Sequence, residues 1–506
     1  MFELNSVKKE YADKLLFENL NLTVYDGERI GIVGENGSGK STLLKLITQE
    51  EAPDKGSVYT YGMSIGYLKQ ISEYTQEDFL SLFENSSFLS QFFKIKSSFN
   101  LSKHINFSKE SLSSLSGGEK TKLLLSHILS KEPDLLILDE PTNHMDQEGV
   151  DWLIKTLDSF VGTVVIVSHD RYILNKVANK IVEIENGKVN EYYGNYNDYK
   201  QQKDLFLASQ KQKYLEQQAL ERKINNQINK LKSWKDKADR EVNKQGTGSE
   251  SRLMGVQTLA KAKAKKLAQQ VKSKISRLEQ SKKDFIEKPY EEGKIYYRLD
   301  SNVLKNKLLI KAIDLSKAFG NNVLFKKANF NVVSGEKIWL KGNNGCGKTS
   351  LLKILLGEDQ DFNGSIWKTS SLKIAYLSQD VLDIDENLTV MDIARQGGSN
   401  EYTTLFLSNL RNMNMQRQVF DRKISTLSLG ERMRIKMCEI ILSDFNLLVL
   451  DEPTNHLDLA NKTYLEKILK DFNGTFLLVS HDRTLAQNVC SKILEIKNNQ
   501  IITEEI

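Results

Sequence analysis

Cysteine is nearly missing from this chain: Cys346, Cys438 and Cys490 stand singly among 506 residues. Three isolated thiols exclude a disulfide framework and a cysteine-bound metal, and they suit a reducing cytosol. Long apolar runs are missing too. The longest, such as Leu135-Leu-Ile-Leu138, have the length of buried strands and fall far short of a membrane span. The opening Met1-Phe-Glu-Leu-Asn5 carries neither a signal-peptide nor a transit-peptide pattern. A soluble, cytoplasmic protein without a membrane partner is therefore expected. Its length predicts several domains, enough for two good cores.

Proline is also scarce, with 5 in all and none between Asp198 and Lys288. That stretch is dense in Lys, Gln and Asn. Residues 200–288 hold 23 Lys and Arg against 10 Asp and Glu, a net of +13 in a chain whose total is +5. Apolar residues recur at Ile224, Ile228, Leu231 and Trp234, and again at Leu267, Val271, Ile275 and Leu278. This is the 3- and 4-residue spacing of a narrow helical seam. The spacing predicts two long helices folded back as a hairpin over 196–290, with a glycine-bearing tip near 243–256. At ~1.5 Å per residue, a helix of roughly 40 residues reaches about 60 Å. Such a rod either reaches for a partner or holds two domains apart, and the residues alone leave both open.

The rest of the chain is a repeat. Gly34-Glu35-Asn36-Gly37-Ser38-Gly39-Lys40-Ser41 recurs as Gly342-Asn343-Asn344-Gly345-Cys346-Gly347-Lys348-Thr349. Leu135-Leu-Ile-Leu-Asp139-Glu140-Pro-Thr-Asn-His-Met-Asp146 recurs as Leu447-Leu-Val-Leu-Asp451-Glu452-Pro-Thr-Asn-His-Leu-Asp458, and Ser168-His169-Asp170-Arg171 as Ser480-His481-Asp482-Arg483. The offsets are 308, 312 and 312, so order and spacing are both kept. Two homologous α/β domains are expected, 1–195 and 306–506, with a connector at 291–305 after the hairpin.

Each glycine-rich loop follows a strand-like run, Arg29-Ile-Gly-Ile-Val33 or Lys337-Ile-Trp-Leu340, and precedes an amphipathic helix beginning near Thr42 or Ser350. That context makes it a P-loop, whose backbone N–H groups turn onto a polyphosphate at a helix N-terminus. Lys40 and Lys348 supply charge to the outer phosphates, and Ser41 and Thr349 a hydroxyl for Mg²⁺. Asp139 and Asp451 end apolar strands where a carboxylate would hold Mg²⁺, usually through water. Glu140 and Glu452, one residue on, can orient or deprotonate an attacking water. An ordinary strand-end acid is the plain alternative for each, and the duplication weighs against it.

These motifs, with Leu115-Ser116-Gly117-Gly118-Glu119, resemble the ATP-binding cassette superfamily. The resemblance makes Gln70 and Gln379 the Q-loop glutamines, contributing to the ATP and Mg²⁺ sites, and His169 and His481 the switch histidines. His104 and His127 lie outside the motifs and receive no role. In that superfamily two cassettes pack head to tail. Resemblance then implies that Lys40 works with Ser428, Gly430 and Glu431, and Lys348 with Ser116, Gly117, Gly118 and Glu119. Tyr11 and Phe319 occupy the places where such cassettes stack an aromatic on adenine, although aromatics there could equally be core packing. One departure stands out: the second signature reads Leu427-Ser-Leu-Gly-Glu-Arg432, with Leu429 in place of a glycine. A side chain there predicts slower turnover at the Lys40 site.

Twin cassettes, no membrane segment and a basic helical linker together resemble the ABC-F proteins, which act on ribosomes. Tyr192-Tyr-Gly-Asn-Tyr-Asn-Asp-Tyr199 is similar to that family's linker entry. The 44 residues between Gln70 and Leu115 and the 47 between Gln379 and Leu427 leave no room for an arm insertion, and the chain stops 25 residues after His481 without a coiled-coil tail. The long linker and short arm region resemble the antibiotic-resistance, ribosome-protection subgroup of Vga and VmlR type. The resemblance implies a hairpin that enters the tRNA exit site, meets 23S rRNA and P-site tRNA, and displaces drugs acting at the peptidyl-transferase centre. Lys232, Lys235, Lys237, Arg240, Lys244 and Arg252 are the candidate RNA contacts, with Leu253 and Met254 at the tip. A plain surface loop is as good a reading of the tip. A general translation regulator, a DNA-associated ATPase and a transporter subunit are the competing classes. Bound nucleic acid or a co-purifying membrane protein would separate them.

Overall fold

A computed structural model describes residues 1–11, 14–75, 79, 116–143, 145–185, 187–244, 262, 265–276, 307–320, 322–378, 384–413, 415–455 and 457–505. The chain divides into two compact units. One comprises Met1–Tyr199 with Glu292–Ile506, and the other Lys200–Glu291.

Within the first unit the two cassettes repeat one plan. In cassette one the strands are β1 (Phe2–Tyr11), β2 (Lys14–Val24), β3 (Arg29–Gly34), β4 (Lys55–Tyr59), β5 (Ile65–Leu68), β6 (Leu135–Asp139), β7 (Thr163–Val167), β8 (Lys180–Glu185) and β9 (Lys188–Tyr193). Its helices are α1 (Lys40–Ile47), α2 (Gly117–Leu129), α3 (Gln147–Ser159) and α4 (Arg171–Val177). A six-stranded sheet runs β5-β6-β7-β3-β8-β9, parallel except for its last strand, and a three-stranded antiparallel sheet runs β2-β1-β4. β6 and β7 are buried at every residue, as central parallel strands covered on both faces must be. Their carboxyl ends deliver Asp139 and Ser168 to one edge of the sheet, where open α/β sheets bind ligands.

In cassette two the strands are β10 (Leu308–Phe319), β11 (Asn322–Val333), β12 (Lys337–Gly342), β13 (Asn363–Lys368), β14 (Ile374–Leu377), β15 (Leu447–Asp451), β16 (Thr475–Val479), β17 (Lys492–Lys497) and β18 (Gln500–Glu505). The order β14-β15-β16-β12-β17-β18 matches that of cassette one strand for strand. The linker helix α5 (Tyr196–Lys244) comes before this cassette, whose own helices are α6 (Lys348–Leu356), α7 (Val390–Gln396), α8 (Asn400–Asn412), α9 (Leu429–Leu442), α10 (Leu459–Asp471) and α11 (Arg483–Val489).

α5 is 49 residues long, roughly 74 Å at the usual helical rise. Asn195 starts it: its side-chain oxygen accepts from the Asn197 and Asp198 amides, while Asp198 accepts from the Asn195 amide at 2.9 Å. Tyr196 and Tyr199, in its first turn, are buried with the first cassette's core. Within the second unit α5 pairs with the helical stretch 265–276. Ile228 and Val271 are buried there, Ile224, Leu231 and Ile275 pack round them, and Lys274 donates to Gln227 at 2.6 Å. Trp234 departs from the expected seam. Its period fits, yet its side chain is 56% exposed. Of the tip expected near 243–256 only Asn243 and Lys244 belong to the described residues, and Leu278 lies outside them.

Candidate active site

The P-loops are shaped by backbone that only glycine adopts cheaply. Gly37 and Gly39 have φ of 76° and 104°, and Gly345 and Gly347 of 75° and 107°. At Gly39 a Cβ would also come 2.8 Å from Phe17 Cζ. The loops thus pass closely over β2 and β11 and open into α1 and α6. Lys40 Nζ donates to the carbonyls of Gly34 and Glu35 at 2.8 and 2.9 Å, and Lys348 to those of Gly342 and Asn343 at 2.7 and 3.1 Å. Burial pushes the Lys40 ammonium below its ordinary range, with Glu140, Asp458 and Asp139 opposing it.

Ser41 Oγ lies 3.2 Å from Asp139 Oδ2, and the Gln70 side chain also favours the ionised Asp139 carboxyl. Asp139 Oδ1 is buried and has no hydrogen-bond partner among the described residues, nor has Ser38 Oγ. Burial raises the carboxyls of Asp139 and Asp451 above their usual range. An unpartnered, desolvated carboxylate oxygen beside a hydroxyl fits a divalent cation that keeps its other positions for water and phosphate. Ser41 with Asp139, and Thr349 with Asp451, would hold Mg²⁺, which supplies charge neutralisation on the phosphates when bound. Among the described residues no group of three or more His, Cys, Asp or Glu forms a larger metal site.

Glu140 and Glu452 each follow a β-strand with φ of 49°, a left-handed conformation uncommon for a residue with a side chain. That turn aims the carboxyl back over the strand end. Glu140 Oε2 accepts from the His169 amide at 3.3 Å, and Oε1 lies 3.4 Å from His169 Nε2. The second cassette repeats this at 3.2 and 3.3 Å with His481. Burial raises the Glu140 carboxyl and pushes that of Glu452 up to about 7. Burial also drives His169 well below its ordinary value and His481 to about 4, so both imidazoles are neutral near pH 7. Neither Glu140 Oε1 nor Glu452 Oε1 has a hydrogen-bond partner among the described residues. A carboxylate poised near neutrality, with one oxygen free, can order a water and take its proton.

One cavity of about 1170 Å³ joins the two halves. It is lined by Tyr11, Asn36, Lys40, Ser41, Gln70, Asp139, Glu140 and His169 of cassette one, and by Phe319, Asn344, Lys348, Thr349, Asp451, Glu452 and His481 of cassette two. Gly37, Gly39, Thr42, Gly345, Gly347 and Ser350 complete its P-loop walls. Tyr11 and Phe319 are 42% and 57% exposed, so neither is core packing. The signature motifs begin α2 and α9 with capping boxes, Ser116 with Glu119 and Ser428 with Glu431. Ser116 and Gly117 reach the cavity, whereas Ser428, Gly430 and Glu431 are not among its lining residues. Leu429 is the first residue of α9 and is 45% exposed. Gln379 lies outside the described residues.

Contacts between the cassettes bring in residues to which the sequence reading gave no role. Asp458 caps α10 with one oxygen, and its other oxygen accepts from the Asn36 amide of the opposite P-loop at 3.3 Å. Asp146 repeats this with Gly149 and Asn344, and Glu148 accepts from Asn343 at 2.9 Å. Both aspartates close the repeated Asp-Glu-Pro-Thr-Asn-His motif, which was the available signal. Arg171 reaches Glu466 at 2.5 Å and Thr463 at 2.9 Å, while Arg483 reaches Asp151 at 2.7 Å and the Gln147 carbonyl at 3.1 Å.

In the second unit Lys232, Lys237 and Arg240 are exposed on α5, and Lys235 is half-buried. Lys244 is the last residue of the helix, its side chain lying outside the described set, and Arg252, Leu253 and Met254 lie outside it entirely. Among the described residues no helix is long and apolar enough to cross a membrane.

Comparison with known proteins agrees with this geometry. The family described as ABC transporter matches residues 17–143 and 325–455, and a second family of the same description matches 182–247. The chain is 35% identical to the ribosome protection protein VmlR of Bacillus subtilis (strain 168), covering 98% of this chain and 87% of that protein. It is 30% identical to ABC transporter F family member 5 of Arabidopsis thaliana, over 98% and 75% of the two chains. Among solved structures, an RNase-L inhibitor superposes with a TM-score of 0.63 at 18% identity, covering 99% of this chain and 91% of that one. That last likeness speaks to the fold. With two matched cassettes and full-length similarity, the chain is an ATPase using ATP and Mg²⁺, and it belongs to the ABC-F family of ATP-binding cassette proteins.

Proposed function

We propose that this protein is a ribosome-bound clamp of the protection type. Two ATPs close the cassettes, closure sets the angle between the two hairpin helices, and the hairpin enters the tRNA exit site. There it contacts 23S rRNA and P-site tRNA and displaces antibiotics acting at the peptidyl-transferase centre. Hydrolysis, timed by Glu140 and Glu452, opens the cassettes and releases the ribosome. The observation that carries this reading is the basic rod. A helix of 49 residues in a stretch of net charge +13 suits a phosphate-lined partner, and Trp234, Lys232, Lys237 and Arg240 stand exposed along it. Similarity to a ribosome protection protein over nearly the whole chain supports the same reading. Within it, Lys40 works with Ser428, Gly430 and Glu431, and Lys348 with Ser116, Gly117, Gly118 and Glu119. The exposed Leu429 side chain makes the Lys40 site the slower of the two.

The second reading is a translation regulator without a resistance role, which the same basic linker would serve. The test is co-sedimentation of the Glu140→Gln/Glu452→Gln variant with ribosomes and ATP across a salt series, together with a drug-susceptibility panel on cells carrying the hydrolysis-competent protein. Salt-sensitive, ATP-dependent pelleting with a raised drug tolerance is expected. Pelleting without any change in tolerance would favour the regulator. No pelleting at any salt would sink both.

A further inference from the structure

Residues 312 apart occupy matching places in the two cassettes, and one such pair differs in kind: Val150 in cassette one and Lys462 in cassette two. Both line the cavity between the cassettes. Val150 is buried and apolar, while the Lys462 side chain is polar at its tip and only 12% exposed. Its Nζ lies 3.8 Å from Asp482 Oδ2, an oxygen with no hydrogen-bond partner among the described residues. The other Asp482 oxygen caps α11 through the Leu485 amide at 2.9 Å. Asp170, the match of Asp482, caps α4 through the Tyr172 amide at 2.7 Å and lines the same cavity.

Each aspartate follows a switch histidine, so closing the cassettes brings one carboxylate from each switch loop into a shared, water-poor space. Like charges placed so repel unless a cation sits with them. Burial and the negative charge of Asp482 both raise the Asp170 carboxyl, and Lys462 opposes them. Arg171 also feels Asp482; its Nη1 and Nη2 bond Glu466 and Thr463, while its Nε has no hydrogen-bond partner among the described residues, and Arg483 is engaged by Asp151 and the Gln147 carbonyl.

We propose that Lys462 is a positioning residue that latches the closed cassettes by neutralising Asp170 and Asp482 together, a device supplied by cassette two alone. It acts through the switch-loop carboxylates, and its charge also favours the ionised forms of Glu140 and Glu452 across the same cavity. The inference rests on the ATPase cassettes and stands whether or not the ribosome reading holds.

The test measures the ATP concentration that half-closes the cassettes, read as compaction in small-angle scattering of the Glu140→Gln/Glu452→Gln protein. That background blocks hydrolysis and removes both neighbouring glutamate charges. Lys462→Met is expected to raise the half-closing concentration by on the order of tenfold, and Lys462→Arg to leave it near the parent value. Adding Asp170→Asn to Lys462→Met is expected to restore closure, because asparagine keeps the helix cap while removing one of the two repelling charges. Closure of Lys462→Met at the parent concentration would overturn the latch. So would an arginine variant as impaired as the methionine one, or a double variant without rescue, since cavity packing alone would not respond to a charge removed from Asp170.

Discussion

In nucleotide-free, magnesium-free protein, replacing the general-base candidate Glu452 by glutamine is expected to stabilise the molecule, and increasingly so as pH rises. Burial pushes this carboxyl up from 4.5 to about 7, with Asp451 adding to the rise and Lys348, the His481 amide and Lys462 opposing it. An unfolded glutamate ionises near 4.5, so between there and 7 the folded chain holds a proton that the unfolded chain has lost. Stability conferred by the neutral carboxyl is therefore full below the unfolded value and disappears as pH climbs through the folded one. An elevation of that size is worth about 3 kcal/mol at pH 8, and under about 1 kcal/mol at pH 5. Glutamine has the same shape, keeps an acceptor for the His481 amide and cannot ionise, so it escapes the penalty. For a cassette of this size, calorimetry in EDTA would show a melting-temperature gain of on the order of 6–12 °C at pH 8, shrinking towards zero at pH 5. A gain that does not vary with pH, or a variant less stable than its parent at pH 8, would refute the argument from burial.

Arg171→Met is expected to weaken ATP-driven closure far more than Arg483→Met. The Arg171–Glu466 side chains are 5% and 9% exposed, whereas Arg483 and Asp151 are 21% and 42% exposed. Breaking the buried pair costs about 3 kcal/mol, the low end of its range because Lys470 and Asn488 still hold Glu466, against ~1 kcal/mol or less for the rim pair. Equal half-closing ATP concentrations for the two variants would contradict this. Gly39→Ala meets both a φ of 104° and Phe17 Cζ at 2.8 Å, while at Gly345 nothing lies within 4 Å of a Cβ. Fluorescent-nucleotide titration is expected to show a larger affinity loss for Gly39→Ala than for Gly345→Ala, each in its own site. Leu429→Gly is expected to speed hydrolysis in the Glu452→Gln background, where only the Lys40 site turns over; an unchanged rate would remove the crowding argument.

The chemistry of each half-site was legible because it is local. A strand, a glycine loop and a helix fit within about twenty residues, and the backbone demands of Gly39 or the cap of Ser116 show in the residue types themselves. The same holds for the linker's helical character, which composition and period declare. What was not legible is what assembly creates. Arg171 and Glu466 lie 295 residues apart, and neither carries a mark of its partner until the cassettes meet. Asp146 and Asp458 could be read as helix caps, but their second oxygens and the opposite P-loop amides become neighbours only in the folded chain. Trp234 shows the opposite failure. Its spacing satisfies the seam, but burial on a helix depends on what faces it, and its side chain remains exposed.

The two halves are nearly interchangeable at the P-loops and strand ends, where Lys40, Asp139, Glu140 and His169 have identical counterparts. They diverge where the cassettes touch: Gly117 against Leu429, Val150 against Lys462, Asp151 against Thr463, Ile154 against Glu466. Each substitution lies at the start of a signature helix or on the helix that follows the strand-end motif. Because Arg171 and Arg483 are matched residues, a symmetric pair would give them the same partners. Instead Arg171 is held by a buried carboxylate and a hydroxyl, while Arg483 is held by a half-exposed aspartate and a backbone carbonyl. A charge pair shielded from water resists separation more than one already wetted. The interface therefore has a strong edge and a weak edge. The asymmetry of this molecule resides in how the cassettes grip each other, with the P-loop lysines, the strand-end carboxylates and the switch histidines kept alike.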